Sequence, residues 1–244
     1  MKSTLLPIAV LMLSLTGCYV PAPKTSNAVT VSDTVALGPV DSVDVSISIG
    51  VGKLSIAGGA SHLLDASFRY NIPDWRPKVS YEVESGMGKL TVEQPPSVVG
   101  GAWPSNVTYD WTLGLSDSVP MNLSVDLGVG KAVIDVGGLK VRRLDVEAGV
   151  GEGVIDLSGT RPTDLEAKVS AGVGKLTVML PGAVGVRATV EGAIGNVKTA
   201  GLHRDGDSFV NDAWGKSKTS IRLEIEGGVG EVELRLARDT DDSI

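Results

Sequence analysis

Cysteine occurs once and histidine twice in this 244-residue chain, which excludes a disulfide framework and any closed four-ligand zinc site built of Cys and His within one molecule. Aromatic residues make up only 4%, so aliphatic side chains have to build the core. Basic residues are outnumbered, 22 against 29 acidic ones, for a net charge of −7 and a pI near 4.9. Such a balance lacks the cationic footprint with which a nucleic-acid binder displaces counterions. No helical period of useful length occurs, so no amphipathic helix is available to dock on a membrane or a partner. Glycine is what abounds, at 31 residues, close to twice the usual frequency of about 7%. The apolar fraction of 42% is ordinary, and the length suits one medium-sized domain or two small ones.

The first residues read as an address. Lys2 supplies a positive start, and Leu5 to Leu13 form an apolar run too short to span a bilayer. Leu15-Thr16-Gly17-Cys18 then resembles a bacterial lipobox. The resemblance implies that residues 1–17 are a lipoprotein signal peptide and that Cys18 carries the lipid. Cys18 is then a tether, neither a nucleophile nor a metal ligand. Each buried methylene adds about 0.8 kcal/mol, so two or three acyl chains on one residue hold firmly where one holds marginally. Tyr19 stands where an aspartate would favour inner-membrane retention, which points to the outer membrane if the cell is Gram-negative. Residues 18–39, rich in Pro, Ser, Thr and Ala, read as the lipidated cysteine and a linker, although the alternation over 28–37 could make its end a first strand. Residues 239–244 read as a polar tail.

Self-similarity organises the remainder. The triplet Gly-apolar-Gly recurs at 50–52, 86–88, 128–130, 149–151, 172–174 and 228–230, with Ala193-Ile194-Gly195 as a degenerate seventh copy. The closing glycines, Gly52, Gly88, Gly130, Gly151, Gly174, Gly195 and Gly230, stand 36, 42, 21, 23, 21 and 35 residues apart. Seven before each stand Val45, Tyr81, Leu123, Leu144, Ala167, Ala188 and Leu223; five before stand Ile47, Val83, Val125, Val146, Val169, Val190 and Ile225. The residue between the two columns is polar in every copy, which is the alternation of a strand with one buried face. After the glycine, apolar residues fall mainly two and four later, as at Leu54 and Ile56 or Leu90 and Val92. A flat strand cannot move its inward set by one residue, so each triplet predicts a bulge or corner, and the glycines are structural turn residues. An antiparallel meander also accommodates strand–corner–strand units. Matching columns favour a parallel stack with about 4.8 Å between coils, right-handed by the usual crossover preference.

Units such as Leu144 to Leu157 and Ala167 to Leu180 resemble the bacterial toastrack superfamily, which includes the putative-adhesin domains and the C-terminal domain of LiaF-like cell-envelope stress proteins. The resemblance implies an all-β, single-stranded right-handed parallel β-helix of about seven or more coils over residues 40–238. It brings no catalytic motif with it.

The residues themselves offer little chemistry. A phosphate cradle needs a helix after its glycine loop, and here a strand follows each triplet. The charges just after the glycine, including Lys131, Glu152 and Lys175, alternate in sign on successive copies, as a solvated face that pairs between coils does. Asp205 to Asp212 is dense in oxygens but lacks the glutamate of a calcium-binding loop and reads as a polar turn. His62 and His203 have no evident nucleophile or orienting carboxylate motif. Aromatics carry the better clue. Trp75, Trp103, Trp111 and Trp214 fall in the excursions or beside them, with Tyr109 among them. Trp103, Tyr109, Trp111 and Trp214 are the candidate platform for a protein partner or a glycan; the same rings could instead fold back to cap open sheet edges. The expected protein is a lipid-anchored, non-catalytic scaffold of the cell envelope. It needs no cofactor or metal and contacts the membrane through its lipid, and an envelope protein or a second copy of itself through its surface. A glycan-binding adhesin is the alternative reading, and a polysaccharide-acting β-helix enzyme a remote third.

Overall fold

The computed structural model describes residues 24–96 and 106–237. Among them are strands β1 (Val29–Val35), β2 (Ser42–Ala57), β3 (Leu64–Tyr70), β4 (Lys78–Glu84), β5 (Met87–Glu93), β6 (Tyr109–Leu115) and β7 (Met121–Asp135). These are followed by β8 (Val141–Asp156), β9 (Leu165–Leu180), β10 (Gly185–Glu191), β11 (Ile194–Ala200), β12 (His203–Asp205), β13 (Ser208–Val210) and β14 (Ser220–Leu236). Residues 1–17, where a signal peptide is expected, Cys18 and residues 239–244 lie outside the described residues. β1 occupies the stretch where the linker was expected to end; its alternation makes a strand that pairs antiparallel with β3.

Five long strands, β2, β7, β8, β9 and β14, run parallel and in register, and each crosses a Gly-x-Gly corner at mid-length. Their first halves continue into β5 and β4 at one end of the stack and into β10, β13 and β12 at the other. Their second halves continue into β6, β3 and β1 at one end and into β11 at the other. The sequence columns are spatial columns: Val45, Leu123, Leu144, Ala167, Leu223 and Ala188 are successive ladder partners and all buried. Inward residues pass from Val45, Ile47 and Ile49 to Leu54 and Ile56 across the corner, the predicted slip, and both halves share one hydrophobic core.

Glycine makes the corner possible. Gly52, Gly130, Gly151, Gly174, Gly195 and Gly230 all have φ between 139° and 151°. A Cβ on Gly151 would lie well inside 3.0 Å of the Gly130 carbonyl oxygen, and the same collision repeats up the stack. Gly88 departs from the expectation. It lies within β5 without a positive φ, and its triplet belongs to the β4–β5 hairpin, where Ser85 (φ 52°) and Gly86 (φ 82°) make the turn. Positive φ at both central residues matches the twist of a two-residue hairpin. Leu90 and Val92 therefore pair with Val45 and Ile47, the columns before a corner, and not with Leu54 and Ile56.

Stacking also departs from chain order. β14, the last strand in sequence, inserts between β9 and β10–β11. The long gap before Gly230 is thus a step outward to build the end of the stack, followed by a return inside it.

Candidate functional site

Of the four candidate platform residues, Trp103 lies outside the described residues. Tyr109 and Trp111 are 2% and 1% exposed, which removes them as a binding platform and corrects that expectation. They pack in a cluster that seals the stack beyond β2: Phe68 meets Trp111 edge-on at 5.3 Å, Trp75 meets Tyr109 at 5.3 Å, and Tyr109 meets Trp111 at 5.5 Å. The Tyr109 hydroxyl donates to the Trp75 carbonyl at 2.8 Å, and burial pushes its phenol well above the ordinary range. The capping alternative describes these rings. Alternation along Tyr109-Asp110-Trp111-Thr112-Leu113 was the signal, since it places both rings on the face that carries the leucine.

Trp214 is the remaining candidate on a surface. It is half-buried and lines a groove of about 700 Å³ on the outer side of the first-half sheet. Arg187 of β10 and Arg222 of β14 are direct ladder partners, and each guanidinium lies 5.9 Å from the Trp214 ring centre. Both arginines stand eight residues before their closing glycines, so the repeat already put them in one column. That the 211–219 loop would lay an indole over them was not legible there.

A second feature runs along the corner. The middle residues of the triplets, Val51, Val129, Val150, Val173, Val229 and Ile194, are successive ladder partners. Val129, Val150, Val173 and Val229 are about half exposed and Ile194 is 71% exposed. They form an apolar ridge bordered on both sides by glycine, except that Ala193 precedes Ile194.

Charges beside the ridge pair between coils as expected. Lys131 Nζ meets Glu152 at 2.7 Å, Lys175 meets Glu231 at 3.0 Å, Lys198 meets Glu231 at 2.6 Å, and Lys168 meets Glu226 at 2.7 Å. Lysine hydrogen bonds hold the Glu152, Glu226 and Glu231 carboxyls below their ordinary range, and glutamate partners raise the Lys168 and Lys175 ammonium groups.

His62 does have an orienting carboxylate: its Nδ1 lies 2.7 Å from Asp65 Oδ1, and this contact lowers the Asp65 carboxyl. Ser61 Oγ lies 3.3 Å from that same nitrogen, whereas a nucleophilic serine needs the other one. Asp205-Gly206-Asp207-Ser208 is the turn of the β12–β13 hairpin. Among the described residues no cluster of three or more His, Cys, Asp or Glu side chains is placed to hold a metal ion.

The N-terminal domain of toast_rack, DUF2154, matches residues 23–179. The crystal structure of a putative cell adhesion protein from Clostridium sporogenes overlays with a TM-score of 0.84 at 30% identity, covering 86% of this chain and 100% of that one. A putative adhesin from Bacteroides fragilis reaches a TM-score of 0.37 at 14% identity, over 88% of this chain and 100% of its own. A putative lipid binding protein from Parabacteroides distasonis reaches 0.25 at 10% identity, over 89% and 99%. No curated protein matches the chain.

Proposed function

This chain belongs to the toast-rack family, and from that premise we propose that it is a lipid-anchored, non-catalytic scaffold of the bacterial cell envelope. Cys18 tethers it to the membrane, and the corner ridge presents it to a partner protein. One observation carries the reading: apolar residues stay exposed, in register, on five successive strands of the stack, from Val129 of β7 to Ile194 of β11. Solvent exposure of a continuous apolar strip is unfavourable unless something covers it in use.

Placing a photocrosslinking residue at Val150 or Val173 in living cells tests this. Discrete adducts with one envelope protein support the scaffold, and adducts with a second copy make that partner the protein itself. No adduct from the ridge, with the protein present at normal level, overturns it. Cys18→Ala should move the protein from the membrane fraction to the soluble one and abolish labelling by fatty acid.

A second reading, an adhesive module that binds glycan, is favoured by Trp214 and its groove. The name of the Clostridium sporogenes relative speaks of cell adhesion, which agrees with the adhesive part of this reading alone.

A further inference from the structure

The groove beside Trp214 has an unusual charge pattern for so acidic a chain. Across the outer side of the sheet, one row runs Arg143, Glu166, Arg222, Arg187 on successive strands. Arg143 has Glu166 at 3.6 Å, but among the described residues neither Arg222 nor Arg187 forms an ion pair with a carboxylate. Neighbouring strands lie about 4.8 Å apart, and like charges at paired positions on them repel. The indole of Trp214 offsets part of this by offering its π system to both.

The ring is held in place from below. Buried Asn211 donates its amide to the Pro181 and Val184 carbonyls at 3.0 and 2.7 Å and accepts from the Val186 amide at 2.9 Å. Ser217 Oγ accepts from the Gly185 amide at 2.7 Å. The loop is thus pinned to β10 on both sides of Trp214, and a platform fixed before binding loses little entropy on binding.

We propose that this groove binds a carboxylate-bearing saccharide: the Arg187–Arg222 pair holds the carboxylate, the indole takes the apolar face of the sugar ring, and Glu224 accepts hydroxyl groups. Paired guanidiniums suit a planar carboxylate, and the neighbouring acids disfavour a dense polyanion. The inference rests on the glycan reading and is independent of the scaffold reading.

The test uses the full chain in detergent, labelled with 5-fluorotryptophan, with the Trp214 ¹⁹F resonance assigned through Trp214→Phe. Digalacturonate and N-acetylmuramate are titrated against their neutral counterparts and acetate. A saturable shift with either acidic sugar, about tenfold or more weaker for the neutral sugar and for acetate, supports the proposal. Whichever acid binds tighter identifies the source as a uronic-acid polymer or the cell wall. Arg222→Met, at an exposed position, should weaken binding about tenfold without moving the melting temperature, and Arg222→Lys should restore it only in part. Equal affinity for neutral sugars overturns the carboxylate assignment and leaves the glycan reading standing. An equal response to acetate, or undiminished binding by Arg222→Met, also overturns the assignment. No shift with any sugar overturns both.

Discussion

Gly151 shows how tightly one residue constrains this fold. Its φ of 147° and the carbonyl of Gly130 behind it leave no room for a side chain. Gly151→Ala combines left-handed strain of about 1–3 kcal/mol with overpacking of about 1–3 kcal/mol. Chemical denaturation should therefore show a loss of more than about 2 kcal/mol. One residue away, Val150 is about half exposed, and Val150→Thr should stay within about 0.5 kcal/mol of the parent. The contrast separates the structural glycines from the ridge they frame. Tyr109→Phe removes one buried hydrogen bond and should cost about 1 kcal/mol, whereas Trp111→Ala empties the cap and should cost about 3–5 kcal/mol. Both should leave the Trp214 groove intact. Their burial was legible in period-two alternation. Their place beside an excursion left platform and cap both open, and the cap is what forms because an open stack needs large side chains to close its end.

Along the elements, the corner slip and the inward columns could be read directly, because in-register parallel strands place like residues above like. The 86–88 triplet defeats that reading. A hairpin turn and a corner both ask for glycine, and only pairing distinguishes them. The exposed Glu–Lys ladder makes a prediction at this scale. Carboxyls lowered by lysine, in Glu152, Glu226 and Glu231, add stability that is present above the ordinary glutamate range and is lost as pH falls through their depressed values. Ammonium groups raised by glutamate, in Lys168 and Lys175, add stability present below their ordinary range and lost as pH rises through their elevated values. The melting temperature should be level from about pH 5 to pH 10 and fall on both sides. In 1 M salt the low-pH and high-pH losses should shrink, since all these groups except the half-buried Glu231 face solvent.

The molecule as a whole depends on a strand that arrives last. β14 pairs with β9 on one side and with β10 and β11 on the other, so the end of the stack has no support until residues 220–236 are in place. A chain ending at Thr219 should lose its cooperative thermal transition and not merely fray at one end, which circular dichroism would show. Ladders that join residues far apart in sequence also predict slow folding, in the range of milliseconds to seconds. At one end the aromatic cap and β1, β3 and β6 cover the second halves. At the other, β11 is the edge, and Ile194 is correspondingly the most exposed residue of the ridge.

Local periodicity determined the strands, the points where the chain must turn or slip, the inward columns of the long strands and the solvated charge face, because each follows from side-chain alternation and from what glycine alone permits. Pairing decided the rest. Which glycine turns a corner and which a hairpin, which rings are buried, and where β14 inserts all depend on which strand lies beside which. Arg187, Arg222 and Trp214 become one groove for the same reason: the two arginines share a column that the repeat predicts, but only the pinned loop brings the indole over them.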